Sequence, residues 1–338
     1  MKKLSVTLTH KQYDIIMETG CLNHLNDFFD TKQKIFLLSD QNIPQKWIDL
    51  IASQCPNHFI YKVHGGEESK SMKTYEEVLK ACLSFHMTRK DMLLAVGGGV
   101  IGDLGGFVAS SYMRGIPFIS IPTTTLSQID SSIGGKVAIN LGEVKNIVGS
   151  FYHPDKVLID FQTLSTLPKR HFINGMVEAI KAGLIHDEKL FEIFEQTDWE
   201  NHLEDIIYRS LMMKKEVVEK DEKEMGLRKT LNFGHTIGHG IEAYYHLDTY
   251  LHGECVAMGM LYFIENDDLK QRVRNVYQRL NIPETCKIEI EKVYEITTLD
   301  KKAHDNKVSI VKVKECGKSY IEDIDKIEIK KMLERGAL

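Results

Sequence analysis

The sequence predicts an α/β N-terminal domain built on a mostly parallel nucleotide-binding sheet, followed by a mainly α-helical domain. Three observations carry this. In the first 160 residues, short runs apolar on both faces alternate with helical patterns, as strands covered on both sides by helices require. Glycine falls from 14 residues in 1–160 to 10 in the remaining 178. Past residue 160, long segments of helical periodicity replace the short apolar runs. A chain of 338 residues accommodates two domains, placed at 1–160 and 161–338, with the cleft between them as the expected site.

The elements follow in order. The opening MKKLSVTLTHKQYD has Lys2 and Lys3 but no apolar run behind them, so no secretory signal is expected. QKIFLLSD (33–40), HFIYKVH (58–64), DMLLAVGGG (91–99), IPFISIP (116–122) and KVLID (156–160) read as strands. Between them, YEEVLKACLSF (75–85) places Val78, Leu79, Cys82, Leu83 and Phe85 at helical spacing. The stretch from Pro122 to Asn146 reads as a long loop dense in hydroxyls, glycines and amides. In the second half, segments 167–186, 203–222 and 230–245 read as helices, 308–324 as a short hairpin, and the end as a further helix.

Composition narrows the function classes. Hydrophobic residues are 43% and charged residues 27%, ordinary for a globular protein. A net charge of -5 provides no global positive field, so neither nucleic acid nor an acidic membrane is expected as a partner. The most apolar stretch, Met92 to Leu126, is interrupted by Asp103 and Arg114, short of the roughly 18 uncharged residues of a membrane helix. Six scattered cysteines without a CxxC pair suggest free thiols and a cytoplasmic protein.

Two kinds of motif carry chemistry. Gly97-Gly98-Gly99-Val100-Ile101-Gly102-Asp103 directly follows a strand, where glycines admit a diphosphate and a helix N-terminus favours its charge. His64 to Lys70 follows another strand, with Glu67 and Glu68 as acceptors for a ribose. Lys136, Lys145 and Asn146 are donors for a phosphate, and Arg114 a possible bidentate clamp. In the second half, His235 and His239 stand at i,i+4 on one helix face, with His252 close behind. Glycines at 234, 238 and 240 cost that helix roughly 1 kcal/mol each, a loss that close approach of a ligand or metal would offset. A catalytic metal also wants a carboxylate. Spacing does not rank Glu178, with Lys181 at i+3, above Asp221, Glu222 or Glu224.

Taken together, LLAVGGGVIGDLGGFVASSYMRG, PTTTLSQIDSSIGGKVAIN, NGMVEAIKAG, EKDEKEMGLRKTLNFGHTIGHGIE and LHGECVAMGM resemble 3-dehydroquinate synthase over nearly the whole chain. The resemblance implies an NAD-binding domain, a helical metal domain and a homodimer. It implies metal ligation, by zinc or alternatively cobalt, through Glu178, His235 and His252, leaving His239 to proton transfer together with Glu224. The implied NAD contacts are Asp40 and Asn42; Gly65, Gly66, Glu67, Glu68, Ser69 and Lys70; Gly99, Val100, Ile101, Gly102 and Asp103; Thr123, Thr124, Lys136 and Lys145; and Thr163, Leu164, Ser165 and Thr166. The implied substrate contacts are Asp130, Lys136, Asn146, Lys214, Arg228, Asn232 and a lysine of the 300–302 segment, taken as Lys302, with Arg114 reaching across the dimer. Three features depart from the family pattern: LGEVKN stands where PLGKN is common, GGEESK where DGExxK is frequent, and the linker between MGM (258–260) and NIPET is shorter than in many relatives.

The implied reaction converts 3-deoxy-D-arabino-heptulosonate 7-phosphate, a small sugar phosphate, into 3-dehydroquinate and phosphate, with NAD oxidant and reductant in one turnover. Rival readings are another sugar phosphate cyclase, of the 2-deoxy-scyllo-inosose or valiolone type, a metal-dependent polyol or glycerol dehydrogenase, and a nucleotide-sensing module without turnover.

Overall fold

A computed structural model of the chain describes residues 1–142, 144–246, 249–299 and 306–336, in two compact units, 1–168 and 169–338. Unit one runs β1 (Lys2–Thr7), β2 (Gln12–Met17), β3 (Ile35–Asp40), α1 (Gln45–Ala52), β4 (His58–Val63), α2 (Met72–Ser84), β5 (Met92–Gly97), α3 (Gly99–Ser111), β6 (Phe118–Pro122), β7 (Lys136–Leu141), β8 (Val144–Phe151) and β9 (Lys156–Ile159). Seven strands form one sheet in the order β1-β2-β9-β6-β5-β3-β4. Only the β1–β2 pair is antiparallel.

The predicted parallel sheet is thus present, and its burial explains the unbroken apolar runs. Leu37, Leu94, Ile121 and Leu158 pack on one face with Trp47, Ile48 and Ile51 of α1. Phe36, Leu38, Leu93 and Phe118 pack on the other with Val78 and Cys82 of α2 and Leu104 and Val108 of α3. A strand buried on both faces has no polar side to show.

Three features of unit one differ from the reading of the sequence. The first seventeen residues form a hairpin, with Leu4 and Val6 buried between exposed Lys3 and half-buried Ser5. The stretch after Pro122 is not one loop: it holds a single wide turn of π-helix at Ser127–Ser131 and then the β7–β8 hairpin. Leu83, placed on the apolar face of the 75–85 helix, is 59% exposed, and α2 buries only Val78 and Cys82 fully.

Unit two runs α4 (Lys169–Ile185), α5 (Glu188–Glu195), α6 (Leu203–Lys220), α7 (His235–Tyr244), α8 (His252–Met260), α9 (Asp267–Leu280), α10 (Ile290–Leu299), β10 (Lys307–Glu315), β11 (Lys318–Asp325) and α11 (Lys326–Arg335). Central α4 packs against α5, α6 and α8 and is buried continuously from Ile173 to Ile185. The predicted helix over 230–245 begins only at His235. Before it, Leu227–Asn232 is a short 3-10 helix, and Gly234 turns the chain at φ +78°. The predicted hairpin at 308–324 and the final helix are present as β10–β11 and α11. Among the described residues, no helix is long and apolar enough to cross a membrane.

Candidate functional site

In unit one the strand order reverses beside β3. The chain passes from β3 to β4 on one side, then returns to β5 on the other. Open α/β sheets bind ligands outside the carboxyl ends of their strands at such a reversal. The stretches proposed for the nucleotide fall along that edge. Asp40 ends β3 and Asn42 follows it, residues 65–70 follow β4, Gly99 to Asp103 form the first turn of α3 after β5, Thr123 and Thr124 follow β6, and Thr163 to Thr166 follow β9. The N-terminus of α3 adds a partial positive charge there.

Many of these side chains are already engaged. Asp40 is buried, which raises its pKa, and its Oδ1 accepts from the Asn42 N–H at 2.7 Å. Lys70, 4% exposed, donates to Asp103 Oδ2 at 2.7 Å, lies 3.6 Å from Glu67 Oε1, and also donates to the Asn146 amide oxygen. Asn140 closes the group, donating to Glu67 Oε1 at 2.9 Å and accepting from the Asn146 N–H at 2.8 Å. The GGEESK turn is therefore tied to the β7–β8 hairpin. Of its two acids, Glu67 is occupied and only Glu68 is exposed. Trp47 Nε1 donates to Thr166 Oγ1 at 3.1 Å, Gln128 donates to Thr163 Oγ1, Ser165 bonds locally, and Leu164 is buried. Thr123 differs: its Oγ1 is buried without a hydrogen-bond partner beside Gly97, whose carbonyl accepts from the Thr123 N–H. A buried hydroxyl left so at the strand edge fits a site completed by a polar ligand.

Next to this edge, Gly97, Gly98, Ser127, Ser131, Ser132 and Lys136 line a small, partly open pocket. Lys136 is exposed at the start of β7, and Asp130 is half-buried in the turn before it. Lys145 is exposed on β8. Arg114 is exposed on the turn after α3, with φ +68°.

Unit two brings Glu178, His235 and His252 together from α4, α7 and α8. Glu178 Oε1 lies 3.7 Å from His252 Nε2 and 3.9 Å from His235 Nε2. The carboxylate is 3% exposed; Oε2 forms an ion pair with buried Lys181, while Oε1 accepts no hydrogen bond. Burial opposes its charge, but Lys181, His252 and His235 outweigh burial and hold it well below the usual carboxylate range. Burial instead presses His235 toward its neutral form, helped by the Lys181 charge. His252 stands at about 9: burial opposes its charge, but Glu178 and Glu242 outweigh that.

Each imidazole is turned by a second bond. His252 Nδ1 is 2.7 Å from Glu242 Oε2, and since a carboxylate only accepts, Nδ1 carries a proton; with the ring at about 9, Nε2 is protonated as well at neutral pH, and that is the proton a metal would displace. His235 Nδ1 similarly faces the Phe233 carbonyl at 3.1 Å. A buried carboxylate whose Oε1 faces two oriented imidazole nitrogens fits a divalent metal. His239 is near as well: the ligand-capable atoms of His235, His239 and His252 lie within 4.8 Å of one another. Its ring is exposed and stands edge-on to His235.

Glu242 was missed in the sequence, although His235, His239 and Glu242 stand at i, i+4 and i+7 on one face. Also missed was Asn174, whose Oδ1 accepts from the Gly253 N–H at 2.7 Å at the start of α8. The glycines correct the expectation of close ligand approach. A Cβ at Gly238 would stand 2.9 Å from the Cys255 carbonyl, and one at Gly259 only 2.1 Å from that of Gly234. They let α7 and α8 touch backbone to backbone, which carries His235 and His252 to one point.

The remaining unit-two candidates lie in α6 (Lys214) and in the stretch that follows it. Lys214 and Arg228 are buried, and Asn232 Nδ2 donates to Glu224 Oε1 at 3.0 Å. Lys302 lies outside the described residues.

Residues 60–174 match the family model described as 3-dehydroquinate synthase N-terminal, and residues 175–303 the one described as 3-dehydroquinate synthase C-terminal. A 3-dehydroquinate synthase of Clostridium botulinum (strain Alaska E43 / Type E3) is 40% identical over 341 residues, 95% of this chain and 97% of that one. A crystal structure of 2-deoxy-scyllo-inosose synthase, complexed with carbaglucose-6-phosphate, NAD+ and Co2+, shares the fold at TM-score 0.90 and 24% identity, covering 99% of this chain and 100% of that one. A 2-epi-5-epi-valiolone synthase from Streptomyces hygroscopicus subsp. jinggangensis 5008, with NAD+ and Zn2+ bound, gives TM-score 0.88 and 25% identity over 97% of this chain and 98% of that one.

Proposed function

The chain belongs to the 3-dehydroquinate synthase family, and we propose that it turns 3-deoxy-D-arabino-heptulosonate 7-phosphate into 3-dehydroquinate and phosphate with the residues described above. The observation that carries the chemical assignment is the buried Glu178 carboxylate, paired with Lys181 through Oε2 while Oε1 faces two oriented imidazoles. Glu178, His235 and His252 would hold the divalent metal, zinc in the first instance and cobalt as the alternative. The carboxyl edge of the unit-one sheet would hold NAD. The metal would supply Lewis-acid polarisation of the substrate C5 hydroxyl, and NAD would supply a reversible hydride acceptor.

The chain's own groups do the rest. Glu242 and the Phe233 carbonyl keep the two Nε2 atoms turned inward. Lys136 and Asn146 bind the phosphate and stabilise it as it leaves; Arg114 of a second copy adds to them, and Asp130 orders the turn before Lys136. Lys214, Arg228 and Asn232 bind the substrate carboxylate. Both cations are buried in unit two. His239 and Glu224 carry protons at the substrate. We place this enzyme in the cytoplasm as a homodimer; its six cysteines, all free thiols, agree with a reducing compartment.

The test follows inorganic phosphate and NADH together during incubation with the heptulosonate phosphate, NAD and zinc. Phosphate without accumulating NADH is expected. NADH without phosphate would instead make it a dehydrogenase on the same fold, and equal phosphate release from glucose 6-phosphate, which has no carboxylate, would remove the acid-substrate assignment.

A further inference from the structure

We propose that Asp221 is a positioning residue for substrate binding: its carboxylate shapes the loop after α6 so that Arg228, Glu224 and Asn232 are held as one group. The inference rests on the proposed function for the role of those three residues.

Asp221 directly follows the last residue of α6, and its own N–H still donates to the Val217 carbonyl of that helix. Its side chain gathers the chain beyond. Oδ1 accepts from the Met225 N–H at 2.8 Å, and Oδ2 accepts from Gly226 N–H at 2.7 Å and Arg228 N–H at 2.9 Å. Nothing apolar does this work: Met225 is 80% exposed and Leu227 43%. A loop without a buried anchor stays ordered only through polar contacts.

Each functional side chain depends on that cage. Arg228 is fixed at its main chain by Asp221, and its Nη1 donates to the Glu222 carbonyl at 2.5 Å. Glu224 sits inside the loop at φ +61°, a left-handed conformation that costs a non-glycine residue roughly 1 kcal/mol and persists only when its surroundings impose it. From there its Oε1 accepts from Asn232 Nδ2. Asparagine at 221 would not serve equally. One of the two acceptor oxygens would become an NH2 group facing N–H donors. Asp221 itself touches main chain, not reacting atoms, so it acts through its neighbours.

A double-mutant cycle tests this in the full-length, metal-loaded enzyme: Asp221→Asn, Arg228→Ala and the two combined, assayed with the heptulosonate phosphate. Asp221→Asn is expected to raise KM by about tenfold or more, the scale of a lost hydrogen bond to a charged group, and to lower kcat through Glu224, with bound metal unchanged. In the Arg228→Ala background the same change should raise KM by clearly less than in the parent, because the arginine it positions is gone and only Asn232 remains to be displaced. Additive effects on KM, or a KM for Asp221→Asn within about twofold of the parent, would overturn the proposal. Should Asp221→Asn fail to fold, Asp221→Glu, which keeps the charge and shifts it by one methylene, carries the same cycle under the same criteria. Failure of the parent chain to release phosphate counts against the proposed function instead. The loop is then read by hydrogen exchange at the Gly226 and Arg228 amides, which must accelerate in the variant; unchanged exchange sinks the proposal.

Discussion

At the scale of single residues, the assignments separate by what each side chain already holds. Asp221 is spent on three main-chain N–H groups and Glu224 on Asn232, whereas buried Glu178, paired with Lys181 through Oε2, leaves Oε1 without a hydrogen bond. His235→Ala should therefore abolish metal binding and turnover while NAD still binds; metal content unaltered by elemental analysis would remove His235 from the ligands. Glu242→Ala should weaken metal affinity by about 10–100-fold, the usual effect of losing a carboxylate behind a ligating histidine, as read by competition with a chromogenic chelator. Lys136→Ala should raise KM and depress kcat together, since phosphate binding also orients the reacting carbon; unchanged kinetics would exclude a phosphate role. The histidines were legible in the sequence because helical spacing alone sets His235 beside His239. The choice of Glu178 among four acids was not, because its setting is made by helices distant in the chain, and even its ion pair with Lys181 would look the same on an exposed helix.

At the scale of elements, the glycines of α7 and α8 carry the geometry. Alanine at Gly259 would gain about 1 kcal/mol of helix propensity, yet its Cβ would lie 2.1 Å from the Gly234 carbonyl. Backbone cannot yield as a flexible side chain does, so the clash should win. Gly259→Ala is expected to lose about 2–4 kcal/mol in urea unfolding and to weaken metal binding with it; a raised midpoint would contradict the contact. Element legibility followed burial. The parallel strands announced themselves as apolar runs because both faces are covered. The β7–β8 hairpin did not, since β8 leaves Val144, Ile147 and Phe151 in solvent and buries no residue fully. Helix 230–245 was drawn too long because apolar spacing continues through Leu231 and Phe233, while Gly234 breaks the backbone between them and His235.

At the scale of the whole molecule, the proposed labour is divided by unit: the nucleotide residues lie in 1–168 and the metal residues in 169–338. Chelation should accordingly stop turnover, with activity restored by zinc or cobalt, while the affinity for NAD measured by fluorescence stays within about twofold of the untreated enzyme. A large loss of NAD affinity on chelation would show that the two functions are not separable. The buried ion pair of Lys181 and Glu178 has a wider consequence for how this protein is made. Small zinc domains collapse when stripped, because nothing else neutralises their ligands. Here the Lys181 side chain from the same helix turn pairs with the acid, so an empty site leaves no isolated charge in the core and the fold need not wait for its metal.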